Sequence, residues 1–308
     1  MIVTITMNAA IDKMYAVERN EPGEVLRVRE CVATPGGKGL NVARVIAAMG
    51  ERSLATGLLG GHSGRWVQEA LTSQGIAHDF EHVPGETRTC INIVEPNGRQ
   101  TEFLEPGFEV GEAELAAFER RLERLMGECD IATISGSVPR GVPVDCYARI
   151  VAMARRMGKP VLLDSSGALL KSGVEALPTL IKPNTDEIAQ LLGHKVTADG
   201  ALEAARALHG RGIAYVVISM GKLGSLMVCD AGAFKATPPH IEAVSATGCG
   251  DSMIAGLAIS LLRGYAPEEM LRYATAVSAA NALEKGTGCV VRSKAEALLG
   301  EVCIARLD

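Results

Sequence analysis

The sequence predicts an α/β protein, with a mainly parallel central sheet, helices on both faces and a small β flap. Three observations predict it. Short apolar, β-rich runs alternate with longer helical patterns, as in successive βαβ units. Several of the short runs are apolar at nearly every position, as strands buried on both faces are. Two stretches show polar/apolar alternation around turn residues instead, which fits antiparallel strands held outside the main sheet.

The chain opens with the strand candidate Ile2–Met7. Lys13 to Thr34 then alternates around Pro22-Gly23 without helical period and forms the first half of the flap. A helical pattern follows at Gly39–Met49, then a strand at Ser53–Leu59 and a helix at Gly64–Gln74. Thr87 to Leu104 returns to the flap texture, with Pro96-Asn97-Gly98 between the runs Cys90–Val94 and Gln100–Leu104, a hairpin signal. Helices at Glu112–Met126, Pro143–Met157, Thr185–Leu192 and Gly200–His209 alternate with strands at Ile131–Ser135, Val161–Asp164, Thr179–Ile181 and Tyr215–Ser219. The apolar run Met253–Leu262 closes the pattern. Residues 1–308 read as one domain, with the flap at about 13–34 and 87–104.

At 308 residues and 47% hydrophobic content, the chain can bury a large core. Its net charge is −5 and no Lys/Arg run reaches five residues, which argues against nucleic acid or an anionic membrane surface as partner. No apolar run is long enough to span a bilayer. Met1–Met7 is too short for a secretory leader, so a cytoplasmic location is expected. The eight cysteines are scattered, without C-x-x-C or zinc-like Cys/His spacing, and are expected to be reduced thiols.

The stretch Ser245-Ala246-Thr247-Gly248-Cys249-Gly250-Asp251-Ser252 reads as a glycine turn feeding a helix. Gly248 and Gly250 permit positive φ and close approach of a ligand. The first amides of the helix lack partners and lie at its positive end, where anions bind. Asp251 falls in the first turn, where the dipole is expected to keep it ionised. An ionised carboxylate beside a phosphate-binding turn suits a kinase. Alone, the same pattern is better read as a glycine turn with Asp251 as a simple helix N-cap, and the rest of the chain reverses that preference. Cys249 at a helix start is open to a lowered pKa, but a small side chain with a useful amide is the simpler reading.

Pro35-Gly36-Gly37-Lys38-Gly39-Leu40-Asn41 is a second glycine-rich entry to a helix, with Lys38 and Asn41 on one turn. It is not a Walker A loop, since no Ser/Thr follows Lys38. Nor does the chain carry G-x-G-x-x-G, which removes the main support for a dinucleotide dehydrogenase. Asp12 follows the first strand and suits either a sugar hydroxyl or an Asx turn. Ser135-Gly136-Ser137-Val138-Pro139 follows another strand. Asn184 is a candidate N-cap with Glu187 at the capping-box position, or a pair that positions water-bound Mg²⁺. Ser219-Met220-Gly221 ends a further strand with a turn that can lie along a nucleotide.

These segments resemble the ribokinase-like sugar kinases of the PfkB carbohydrate kinase family from end to end. The resemblance is carried by Gly36–Ala43 and Thr247–Ser252, supported by Ser135–Pro139 and Lys182-Pro183-Asn184 with Glu187. Within the family the chain is most similar to the tagatose-6-phosphate kinase and 1-phosphofructokinase branch, with Thr87–Ile91 and Glu284–Gly288 closer to the former. It departs from the family pattern at Ala9, Cys249 and Arg140.

The resemblance implies a ribokinase-like fold and an ATP- and Mg²⁺-dependent transfer to a ketohexose phosphate, first of all tagatose 6-phosphate. Fructose 1-phosphate and fructose 6-phosphate are the alternative acceptors, and a non-catalytic sugar-phosphate sensor is the distant one. It implies Asp251 as base, with Gly248, Cys249 and Gly250 as anion-hole amides. Asp12, Gly36, Gly37, Lys38, Asn41 and Ser137 hold the sugar phosphate, and Arg88, Lys38 and Arg27 pair with its phosphate. Lys182, Asn184, Ser219, Gly221, Thr247 and Asn281 belong to the nucleotide side, with Asn184 and Glu187 in the magnesium network. It also implies a flap that closes over the sugar and a homodimer formed through the flaps.

Overall fold

The computed structural model describes residues 1–197 and 200–307. The first strand, β1 (Ile2–Thr6), is central and buried throughout. Its side chains serve two cores: Val3 and Ile5 point to one face of the sheet and Ile2 to the other. The chain then leaves for the flap strands β2 (Ala10–Ala16) and β3 (Glu30–Gly36) and returns through α1 (Lys38–Ala48) to β4 (Ser53–Leu59). After α2 (Gly61–Ser73) come the short strands β5 (Ala77–His78) and β6 (Glu81–His82), then the second flap pair, β7 (Arg88–Val94) and β8 (Gln100–Leu104).

Helix and strand then alternate through α3 (Glu112–Glu128), β9 (Ile131–Ser135), α4 (Cys146–Arg156), β10 (Val161–Asp164), α5 (Gly167–Glu175), β11 (Leu180–Ile181), α6 (Thr185–Leu192), α7 (Ala201–His209) and β12 (Tyr215–Ser219). The hairpin β13 (Ser225–Cys229) and β14 (Gly232–Thr237) follows. Three helices, α8 (Cys249–Leu262), α9 (Pro267–Ala282) and α10 (Arg292–Leu298), precede the last strand, β15 (Cys303–Leu307).

The main sheet runs β15-β14-β13-β12-β11-β10-β9-β1-β4-β5, with β6 also paired to β4. From β12 to β5 the pairing is parallel, whereas β13, β14 and β15 add an antiparallel edge. Helices α3 to α7 contribute to the core on one face, and α1 and α8 to α10 to the core on the other. This is the ribokinase-like α/β architecture the sequence implied.

The flap is a separate four-stranded sheet, β3-β2-β7-β8. Its two hairpins are antiparallel as expected, but β2 and β7 pair in parallel, from Ala10↔Arg88 to Ala16↔Val94. The reason is topological. Both strands follow a parallel strand of the main sheet, β1 and β6, and enter the flap from the same edge. The flap strands cover 10–16, 30–36, 88–94 and 100–104, so the first hairpin extends beyond the expected 13–34 at both ends.

Alternation along the central strands also places a polar row. Leu162 and Leu180 belong to the core beneath α1 and α8, so Asp164 and Lys182, two residues on, face the same side. Thr6 and Ser135 lie in that row, and all four residues are buried at the carboxyl edge of parallel strands. Ligands of open α/β sheets bind at that edge.

Candidate active site at the carboxyl edge of the sheet

The turn before α8 is built by Gly248, whose φ of +84° is left-handed. A Cβ there would sit 2.6 Å from the Gly288 nitrogen, so only glycine lets the 284–288 loop close against the turn. Gly250, by contrast, is an ordinary helical residue and does not need positive φ. The buried Asn281 on α9 fastens the turn: its Nδ2 donates to Thr247 O at 2.9 Å, and its Oδ1 accepts from Ser252 Oγ at 3.1 Å. Asn281 therefore spends its side chain inside the protein, not on the nucleotide side. The Cys249 amide donates to Ala246 O at 3.3 Å. The amides of Gly250 and Asp251 meet no protein acceptor among the described residues, which leaves them for an anion.

Asp251 is 6% exposed, and its Oδ2 accepts from Asn41 Nδ2 at 2.7 Å. Burial, followed by the nearby Asp164 carboxylate, pushes its carboxyl up to about 6, against the pull of Lys38, Asn41 and Lys182. Asp251 is thus a weaker acid than an ordinary aspartate, yet at about 6 it is still mostly ionised near neutral pH. Cys249 moves the same way, its thiol pushed up by burial, which argues against a reactive thiolate.

Lys38, at the start of α1, lies 3.9 Å from Asp164 Oδ2, and Lys182 lies 3.3 Å from Asp164 Oδ1. Asp164 raises the Lys38 pKa against the opposing effect of burial, with Asp251 and Glu187 adding to it. Three carboxylates thus surround the Lys38 ammonium. Asp164 was not among the residues singled out from the sequence. Its signal was available: a carboxylate at the carboxyl end of a buried strand, the same feature that drew attention to Asp12.

Asp12 lies within β2, not in an Asx turn. Its Oδ2 accepts from the Gly37 amide at 3.4 Å, and a Cβ on Gly36 would meet its Cγ at 2.0 Å. Burial raises its pKa, opposed by the Gly37 amide, Arg44 and Arg88. Arg88, at the base of β7, donates from Nε and Nη2 to Asn8 O and from Nη1 to Glu105 O. Asn8 in turn reaches Ser137 Oγ at 3.4 Å and Pro106 O at 3.2 Å. Thr247 Oγ1 donates to Gln100 Oε1 at 3.4 Å, so the flap touches the glycine turn.

Asn184 and Glu187, expected to serve the nucleotide and its magnesium, form a full capping box on α6. Ser219 bridges to Asn184, and Gly221 opens a short 3-10 turn behind it. Arg27 is exposed in the β2–β3 connection, and among the described residues it has no polar contact with the site.

Residues 5–293 match the pfkB family carbohydrate kinase group. The chain belongs to the PfkB family of carbohydrate kinases. Solved structures of similar proteins cover nearly the whole of this PfkB chain. Phosphofructokinase-2 from Escherichia coli is 29% identical over 97% of this chain and 98% of its own, with a TM-score of 0.91. A putative phosphofructokinase from Staphylococcus aureus is 28% identical over 100% and 99%, with a TM-score of 0.86. A possible 1-phosphofructokinase from Thermotoga maritima is 26% identical over 100% of each, with a TM-score of 0.88. Among the described residues no helix of this PfkB protein is long and apolar enough to cross a membrane.

Proposed function

We propose that the protein transfers the γ-phosphoryl group of ATP to a hydroxyl of a ketohexose phosphate, giving the bisphosphate. The observation that carries this is Asp251: a buried carboxylate in the first turn of α8, beside free backbone amides and facing Lys38. As the sugar oxygen attacks phosphorus, Asp251 takes the hydroxyl proton and ADP leaves. The free amides of Gly250 and Asp251, with Lys38, offset the charge that builds on the phosphoryl oxygens.

Asp12, with Gly36, Gly37 and Asn41 around it, holds the sugar. Arg88 uses three of its five N–H groups on Asn8 and Glu105, which leaves two for the phosphate the acceptor already carries. The apolar flap side chains Phe103 and Leu104, 57% and 64% exposed, suit pairing with the flap of a second copy. Magnesium would fit beside Glu187, whose Oε1 is not used by the capping box, and Asp164, whose two oxygens accept no hydrogen bond. When bound there it would neutralise ATP phosphate charge. Lys182 and the Asn184–Ser219 strip complete the nucleotide side.

The resemblance at Thr87–Ile91 and Glu284–Gly288 favours tagatose 6-phosphate as acceptor. E. coli phosphofructokinase-2 has been seen with fructose-6-phosphate, which makes that sugar the main competitor. ADP release measured over tagatose 6-phosphate, fructose 6-phosphate, fructose 1-phosphate and the unphosphorylated sugars tests the reading. Turnover confined to phosphorylated ketohexoses supports it. Tight binding without turnover would make the protein a sensor.

A further inference from the structure

Asn41 links Asp251 to a buried charge. Its Nδ2 lies 2.7 Å from Asp251 Oδ2, and its Oδ1 lies 2.5 Å from Arg44 Nη2. The two ends of an asparagine amide are alike in size and opposite in chemistry, and a half-turn exchanges them. Arg44 decides which end faces which partner. A guanidinium only donates, so the end it meets is the oxygen, and the NH₂ is left for the carboxylate.

Asn41 and Arg44 are three residues apart on α1, hence on one helix face. The Arg44 Nη2 also donates to Thr287 O at 2.6 Å, in the loop that closes on Gly248. Arg44 is buried, and its Nε has no partner. Burying a guanidinium with an unsatisfied donor is costly and calls for a compensating role.

We infer that Arg44 is a positioning residue for phosphoryl transfer: by donating to Asn41 Oδ1 it fixes the Asn41 amide with its nitrogen toward Asp251, which holds the carboxylate ionised and in place. The inference rests on the reading of Asp251 as base. Without Arg44 the amide is free to turn. Its oxygen then faces Asp251 and accepts only from a protonated carboxyl, so the base keeps its proton. Among the described residues no other group donates to Asn41 Oδ1. The charged neighbours of Asp251 are Asp164, Lys38 and Lys182; the titratable neighbours of Arg44 are the Cys289 thiol, Asp12 and Asp251. The lock also joins the base to the 284–288 loop, since one Nη2 serves both Asn41 and Thr287.

The test is the pH dependence of kcat/KM with ATP and Mg²⁺ and, in turn, tagatose 6-phosphate and fructose 6-phosphate. Arg44→Met should move the acid limb up by about one pH unit while leaving the rate above pH 8.5 within about threefold of wild type. In an Asn41→Leu background, Arg44→Met should move the limb no further, because the effect passes through Asn41. An unmoved limb, an equal loss at every pH, or a shift that adds to that of Asn41→Leu would overturn the inference.

A second measurement does not need Arg44→Met to fold. In wild-type protein labelled with ¹⁵N-asparagine, the Asn41 NH₂ signals should shift as Asp251 titrates and stop titrating in Asp251→Asn. Asn41 signals blind to Asp251 would overturn the inference. This readout follows the carboxylate and not turnover, so it stands apart from a failure of the base assignment, which would appear as an Asp251→Asn enzyme that still turns over.

Discussion

Lys182 Nζ lies 3.3 Å from Asp164 Oδ1, and both side chains are almost wholly buried at the carboxyl edge of adjacent parallel strands. Asp164 also lies 3.9 Å from Lys38 and raises the pKa of Asp251. One carboxylate therefore pairs with two lysines and raises the pKa of Asp251. Asp164→Ala leaves Lys182 buried without its partner and should cost roughly 3–5 kcal/mol in a denaturant titration. Asp164→Asn keeps the shape and removes a like charge beside Asp251. The acid limb of kcat/KM should then move to lower pH, even as kcat falls. A limb that moves upward would show that Asp164 does not act on Asp251 through charge.

Arg88 joins Asn8, after β1, to Glu105, after β8. Arg88→Ala should raise KM for the ketohexose phosphate by at least about tenfold, as expected for a lost charge-assisted contact, while KM for ATP stays within a factor of two. Steady-state kinetics with each substrate varied in turn provide the check. Equal rises in both would mean that Arg88 serves only to hold Asn8 and Glu105.

Phe103 and Leu104 leave the flap with exposed apolar surface. Phe103→Glu should convert a dimer to a monomer in light scattering and weaken binding of the sugar phosphate more than that of ATP. A monomeric wild type, or a dimer indifferent to the substitution, would remove the flap from the interface.

The raised Asp251 pKa has a sign in stability. The folded state holds this proton up to about 6, whereas an unfolded aspartate releases it near 3.8. Between those values the folded protein binds more protons than the unfolded chain, so stability falls as pH rises through the window. Asp251→Asn removes that loss. The variant should be more stable than wild type at pH 8, by about 3 kcal/mol at most, and the advantage should vanish at pH 4. Denaturant midpoints at the two pH values measure it. An advantage that is larger at pH 4 would contradict the burial argument.

Much of this was legible in the sequence, and the reasons for the rest are physical. Strands such as Ile131–Ser135 and Tyr215–Ser219 declared themselves because burial on both faces demands continuous apolar runs. Helix α9 did not: it is buried on nearly every side and carries little one-sided apolar pattern to find. The glycine turns and Asp251 could be found because chemistry restricts those positions to few residue types. The environment of Asp251 could not, since the neighbours that move its pKa, Asp164 above all, come from other elements of the sheet. Arg44 shows what sequence pattern still offers: Lys38, Asn41 and Arg44 recur at three-residue spacing on a helix that is apolar elsewhere.

The most direct test of the whole account is kcat for Asp251→Asn under saturating ATP, Mg²⁺ and ketohexose phosphate. Removing a positioned general base should lower kcat by about 10²–10⁴-fold, with the circular dichroism spectrum and both KM values close to wild type. A kcat within a factor of ten of wild type would show that another group takes the proton and that the site works differently.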